Sequence, residues 1–244
     1  MLARRFSAVK LQSLNLLFPP LCASCHVPVQ DANNVCADCW KELRFMAGPA
    51  CSCCGVALPA DTRGSMICAQ CIRTPPEFDA ARAALQYDDA SRRIIHAFKN
   101  HDRQHVLPLL TRWLFAAGEP LLKTTDMIVP VPLSRLRLFG RMFNQSALLA
   151  QALSKKTGIL YAPLALTRAR HTPPQAGLNR AARQKKLQGA FKANAESVKG
   201  KHVLLVDDVM TTGATANACA KTLKSAGAAS VRVLTIARVN IEEA

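Results

Sequence analysis

Apolar residues follow two rhythms along the second half of this chain. Short unbroken apolar runs alternate with segments whose apolar positions recur every three to four residues. The unbroken runs are Met127–Val131, Val203–Val206 and Val231–Ala237, with Leu160–Leu166 as a further candidate. They have the length and β-branched content of strands buried on both faces. The periodic segments are Ser91–Lys99, Val106–Ala117, Asn144–Lys156 and Thr215–Ser225. In the third of these, Leu148, Leu149, Ala152 and Leu153 share one face and Gly158 follows as a stop signal; Gly227 closes the fourth. Strands alternating with helices predict an α/β domain from Phe78 onward. Pro130 and Pro132 end the first strand, and Arg168–Gln188, polar and without period, reads as a long loop.

The first third of the chain lacks these rhythms and is dominated by cysteine. Nine of the ten cysteines lie between Cys22 and Cys71, and Cys219 stands alone. Eight of them form four Cys-x2-Cys pairs: Cys22/Cys25, Cys36/Cys39, Cys51/Cys54 and Cys68/Cys71. A tight turn lets two thiolates grip one ion, and two such turns supply the four sulfurs of a structural zinc site. Four turns therefore predict two zinc ions. Sequential pairing puts Cys22, Cys25, Cys36 and Cys39 on one and Cys51, Cys54, Cys68 and Cys71 on the other; a cross-braced pairing satisfies the same spacing. Cys53 is a spare thiol. The Arg73-Thr74-Pro75-Pro76 stretch reads as a linker, dividing the chain into an N-terminal helix (1–20), a double zinc ribbon (21–76) and the α/β domain (77–244).

No apolar run is long enough to span a membrane. The stretch after Arg4 and Arg5 is broken by Ser13 and Asn15 and stopped by Pro19 and Pro20, so it does not read as an export signal. A cytoplasmic location is expected, where thiols stay reduced and serve as metal ligands.

Charge narrows the partners. The chain carries 32 Lys and Arg against 16 Asp and Glu, a formal net charge of +16. No acid occurs between Met127 and Ala195, which predicts an anion-facing surface. One cluster breaks the trend. In HVLLVDDVMTTGAT, His202–Thr215, an apolar strand runs into Asp207 and Asp208, and Thr211-Thr212-Gly213-Ala214-Thr215 then opens a helix. Small residues, a glycine able to take positive φ, and a helix N-terminus suit a phosphate. The two carboxylates suit hydroxyls a few ångströms away. Together they fit a sugar phosphate at the carboxyl edge of a parallel sheet, with Asp207 and Asp208 emerging beyond the strand.

This motif resembles the ribose-5-phosphate motif of the type I phosphoribosyltransferases, which use phosphoribosyl pyrophosphate (PRPP). The whole chain resembles the ComF family, which includes GntX-type DNA-utilisation proteins, through LLFPPLCASC, FKNHDR (Phe98–Arg103), VPVPLSRLR (Val129–Arg137), FNQSALLAQAL (Phe143–Leu153) and LTRARHTPPQAGLNRAAR (Leu166–Arg183). It departs from the family pattern at Met142, where a glycine is usual, and at Lys186, where an asparagine is usual.

The resemblance implies a type I phosphoribosyltransferase-like parallel-sheet domain behind a double zinc ribbon. It implies that Asp207 and Asp208 hold the ribose hydroxyls as the candidate catalytic pair, with Val209, Met210, Thr211, Thr212, Gly213, Ala214 and Thr215 around the 5′-phosphate. Pro132, Leu133, Ser134 and Arg135 would form the pyrophosphate loop. Arg137, Arg141, Arg168, Arg170, Arg183, Lys185 and Lys186 would supply a mobile cover and a basic surface. Mg²⁺ would arrive with PRPP. Three functions are compatible with this set. The first is a protein of DNA uptake or utilisation that binds PRPP and, through its basic surface, single-stranded DNA. The others are a salvage transferase whose acceptor the sequence does not name, and a PRPP-sensing regulator.

Overall fold

A computed structural model describes residues 19–99, 105–133, 143–169, 187 and 189–239. The expected N-terminal helix, and Ser134, Arg135, Arg137, Arg141, Arg170, Arg183, Lys185 and Lys186, lie outside them.

The apolar runs become the middle of a five-stranded sheet. In chain order its strands are β1 (Ala80–Gln86), β2 (Met127–Pro130), β3 (Leu160–Tyr161), β6 (His202–Met210) and β7 (Ser230–Arg238). The spatial order is β1-β7-β6-β2-β3, and every pairing is parallel. All four residues of β2 are buried, as are Val203–Val206 of β6, because helices cover both faces.

Helices α3 (Asp89–Lys99), α4 (Leu107–Leu122) and α5 (Gln145–Thr157) share one core cluster with Leu204, Val206 and Leu234. Helix α7 (Ala214–Ser225), preceded by the short α6 (Ala195–Val198), shares the other with Val203, Leu205, Val231 and Val233. The ends of α5 follow local chemistry. The Asn144 side chain accepts from the Ser146 N–H as N-cap, and Gly158 closes the helix at φ 77° with its N–H on the Ser154 carbonyl, 2.8 Å away.

Three expectations change. Strand β6 does not stop at Val206: β7 continues to pair with it through Asp207, Val209 and Met210, so both aspartates lie within the strand. Leu160–Leu166 is not one strand. Leu160–Tyr161 edges the large sheet, whereas β4 (Leu166–Arg168) pairs antiparallel with β5 (Phe191–Ala193) in a separate ribbon; Pro163 stands between the two segments. Arg168 accordingly belongs to a strand rather than a loop, and its guanidinium sits over the Phe191 ring, 5.4 Å from the centroid. Helix α4 also runs beyond Ala117, with Pro120 inside it.

The cysteine region folds around short helices, α1 (Ala37–Glu42) and α2 (Ala69–Arg73), each opened by a cysteine. It also covers the free edge of β1. Phe45 bridges Leu85 antiparallel, the Met46 N–H donates to the Ala84 carbonyl (2.9 Å), and Gln86 N–H to the Arg44 carbonyl (2.9 Å). An open strand edge is thereby paired within the chain. No helix among the described residues is long and apolar enough to cross a membrane.

Candidate functional site

The eight cysteines form two separate clusters, Cys22/Cys25/Cys36/Cys39 and Cys51/Cys54/Cys68/Cys71, each with all Sγ atoms within 4.8 Å of one another. The pairing is sequential, which the spacing alone left open. Cys25 and Cys36 sulfurs are 3.7 Å apart, as are those of Cys54 and Cys68. Four sulfurs about 2.3 Å from one ion stand about 3.8 Å apart on a tetrahedron, so both clusters fit zinc. Backbone donors converge on the sulfurs as thiolates require: Cys36 N–H on Cys22 Sγ (3.3 Å) and Cys68 N–H on Cys51 Sγ (3.3 Å). Four thiolates close each coordination shell, making these centres structural. Cys53 is a ligand of neither; its carbonyl accepts the Ala81 N–H at 2.7 Å.

The second candidate centre forms where β6 ends. Asp207 Oδ1 accepts the Ser146 hydroxyl (2.8 Å) and the Asp208 N–H (2.9 Å). Asp208 pairs with Lys99 at 2.9 Å through Oδ2, and its Oδ1 accepts the Val209 N–H at 2.7 Å. Burial pushes the Asp207 carboxyl up to about 7, and the neighbouring Asp208 charge pushes the same way; the Ser146 hydroxyl, the Asp208 N–H and Lys99 pull it back. One carboxylate is thus held by a cation while the other is poised between charge states.

Beyond the aspartates, residues 209–216 turn into α7 and, with Asp207, Val233 and Thr235, line a pocket. Gly213 sits at φ 75° and precedes the helix with no side-chain cap. The Thr212 hydroxyl lies 3.4 Å from the Ala214 N–H. First-turn N–H groups of a helix have no partner within it, and Gly213, Ala214, Thr215 and Ala216 line the pocket, an arrangement that favours an anion. Hydroxyl acceptors and an anion cradle therefore adjoin one another.

Pro132 and Leu133 follow β2 at the same edge of the sheet. Val131 N–H donates to the Val206 carbonyl (2.9 Å), and the Asn144 amide holds the Val131 carbonyl (3.1 Å). Arg168 is not part of this pocket. Ser146 and Lys99 are residues that sequence reasoning missed as site members. Both fall inside the FNQS and FKNH stretches, but their partners lie 61 and 109 positions away and no local pattern announces them.

Both parts of the chain have known relatives. A double zinc ribbon domain matches residues 13–72 and a phosphoribosyl transferase domain matches residues 143–244. The chain is 34% identical over 229 residues to DNA utilization protein YhgH of Escherichia coli (strain K12), with 91% of this chain and 99% of that protein covered. It is 30% identical over 213 residues to Competence protein F of Haemophilus influenzae, covering 84% and 91%. It is 26% identical over 214 residues to Competence protein ComFC of Bacillus subtilis, covering 84% of each.

Proposed function

The chain belongs to the family of these DNA utilization and competence proteins, in which a double zinc ribbon precedes a phosphoribosyl transferase fold, and on that premise we propose that it is a cytoplasmic PRPP-binding protein of DNA uptake or utilisation. The carrying observation is the Asp207–Asp208 pair, tied by Ser146 and Lys99 beside the uncapped N-terminus of α7. In this reading the turn Thr211–Thr215 takes the 5′-phosphate and the two carboxylates accept from the ribose hydroxyls. Pro132, Leu133, Ser134 and Arg135 lie along the diphosphate, which brings its own hydrated Mg²⁺. Lys99 keeps Asp208 from repelling the nearby phosphate. Single-stranded DNA is the second ligand, drawn to the acid-free stretch from Met127 to Ala195 through its phosphates.

Calorimetry of the zinc-loaded protein with PRPP and Mg²⁺ tests the first half. Saturable binding to the wild type, lost in an Asp207→Ala/Asp208→Ala variant, is the expected result. Folded wild-type protein that gives no heat with PRPP overturns it and leaves the transferase fold as a scaffold. Turnover of PRPP with a free base would instead make the protein a salvage transferase.

A further inference from the structure

Aromatic residues are scarce in this chain, at 5%, yet three of them meet at one surface point. The Trp40 and Phe45 rings are 4.8 Å apart, Phe45 meets Trp113 edge-on at 5.5 Å, and Trp40 lies 6.5 Å from Trp113. Trp113, on α4, is buried at 8% exposure and forms the floor; Trp40 at 48% and Phe45 at 36% stand open above it. We propose that this cluster is a stacking platform for the bases of a single-stranded nucleic acid. The inference rests on the nucleic-acid half of the reading above and is independent of PRPP.

The first zinc centre and strand β1 hold the platform in place. Trp40 follows Cys39, a ligand of the first zinc centre, and sits in α1, which Cys36 opens. Phe45 is pinned by its bridge to Leu85. Rings held in advance lose little freedom when a base lands on them. Charge suits the same ligand. Arg44 beside Phe45 and Arg112 beside Trp113 in the chain add positive charge next to two of the rings. The nearby acids are already paired, Asp38 with Lys41 at 3.2 Å and Glu42 with Arg93. Open π faces among cations, with local acids neutralised, match the combination that binds single strands without sequence preference.

Trp40 and Trp113 are the only tryptophans in the chain, so tryptophan emission, excited selectively over tyrosine, reports this cluster alone. The test titrates the full zinc-loaded protein with a dT oligonucleotide of about 15 residues, a length within the range of single-strand sites. An abasic oligonucleotide of equal length, with the same phosphates and no bases, runs in parallel. Emission should be quenched by dT and not by the abasic strand. A Trp40→Ala/Phe45→Ala variant retaining both zinc ions should raise the Kd for dT by roughly 5- to 150-fold. It should leave the abasic Kd and the salt slope as they were, and Trp40→Phe should recover most of the loss. Equal binding of both strands with silent emission overturns the platform and leaves DNA binding standing. Binding of neither strand overturns both. An emission change that tracks protein concentration without DNA, and that the double variant abolishes, assigns the face to a second copy of the chain and likewise overturns the proposal.

Discussion

The two zinc ribbons share a cysteine spacing, yet they are built into the molecule in different ways. The first sits against the helices α3 and α4. Arg93 of α3 pairs with Glu42 and donates to the Ser24 hydroxyl (3.2 Å), and Arg112 of α4 donates to the Asn33 carbonyl (2.7 Å). Beneath these ties Cys22, Ala23, Val35, Cys39 and Leu43 are buried in the same core cluster as Ile94, Phe98 and Leu110, while Trp40 and Phe45 remain open. The second ribbon lies in the core that also holds Phe78 and, from the anion-binding turn, Met210 and Ala214. Its exit segment is latched to α7 itself: Glu77 N–H donates to the Asn217 amide oxygen (3.0 Å), Lys221 reaches Glu77 (3.7 Å), and Lys224 pairs with Asp79 (2.6 Å). Both copies are thus rooted in the interior, one in the core of α3 and α4, the other in the core that carries the anion-binding turn.

The largest expected effect comes from breaking each centre in turn. Structural zinc sites link on the order of 10 kcal/mol of metal binding to folding, against a net domain stability of about 5–15 kcal/mol. Cys51→Ser should release one zinc, unfold the second ribbon and abolish PRPP binding, because the turn loses its support. Cys22→Ser should also release one zinc and destabilise the core of α3 and α4, but should weaken PRPP binding less than Cys51→Ser, since that ribbon reaches the site through α3 and Lys99 rather than through the turn itself. Zinc content, a melting curve and calorimetry on both variants decide it; equal loss of PRPP binding would erase the distinction.

A backbone change probes the same contrast more gently. Gly55, in the knuckle of the second ribbon, has φ +72°, and a Cβ there would lie 2.3 Å from the Ala81 carbonyl oxygen. Gly55→Ala therefore meets both left-handed strain and a backbone clash, and should cost about 2–5 kcal/mol in urea unfolding. Gly48, in the segment joining the ribbons, would place its Cβ in open space. Gly48→Ala should stay within about 0.5 kcal/mol of wild type.

The first ribbon is not wholly insulated from the site, because α3, which carries it, ends in Lys99. That lysine holds Asp208 and helps restrain the raised carboxyl of Asp207. A carboxyl raised in the folded state stabilises the fold fully below its unfolded value, and that contribution is lost as pH rises through about 7. Ligand binding should run the other way, since hydroxyl donors need the ionised acceptor. PRPP affinity should rise roughly tenfold from about pH 6 to about pH 8. Lys99→Met should displace that rise to higher pH, and a pH-independent affinity in the wild type would remove Asp207 from the binding step.

How much of this was legible beforehand depended on how local the cause was. The zinc ligands could be read because a Cys-x2-Cys turn is its own geometry. Helix α5 could be read because Asn144 and Gly158 act within one turn of its ends. The length of β6 could not, because Asp207 stays in the strand only by pairing with Thr235. Ser146 and Lys99 escaped for the same reason, being defined by partners across the fold. The aromatic platform draws on Trp40, Phe45 and Trp113, separated by up to 73 positions, and composition alone suggested no such surface. The different cores that receive the two ribbons were equally hidden, since their spacing differs by only three residues, ten against thirteen.

The smallest effect is also the most direct measure of the latch. Glu77 N–H has the Asn217 side chain as its acceptor, on the second turn of the helix whose N-terminus faces the pocket. Asn217→Ala removes that acceptor without touching a pocket residue, a zinc ligand or a core side chain. The net loss should be about 1 kcal/mol, the ordinary worth of one such hydrogen bond. Its distribution matters more than its size. If the second ribbon's exit segment steadies the anion-binding turn, amide exchange should quicken over residues 211–216 as well as around Glu77. The counterpart on the other ribbon is Arg112→Ala, which removes an exposed tie to Asn33 and should change stability by no more than about 0.5 kcal/mol. Exchange over 211–216 should not respond to it. A quickening confined to Glu77 in the first variant would mean that the ribbon merely rests on α7. A quickening that reaches the turn makes the second ribbon a working part of the anion site, because the turn's N–H groups are only as well aimed as the helix end that carries them.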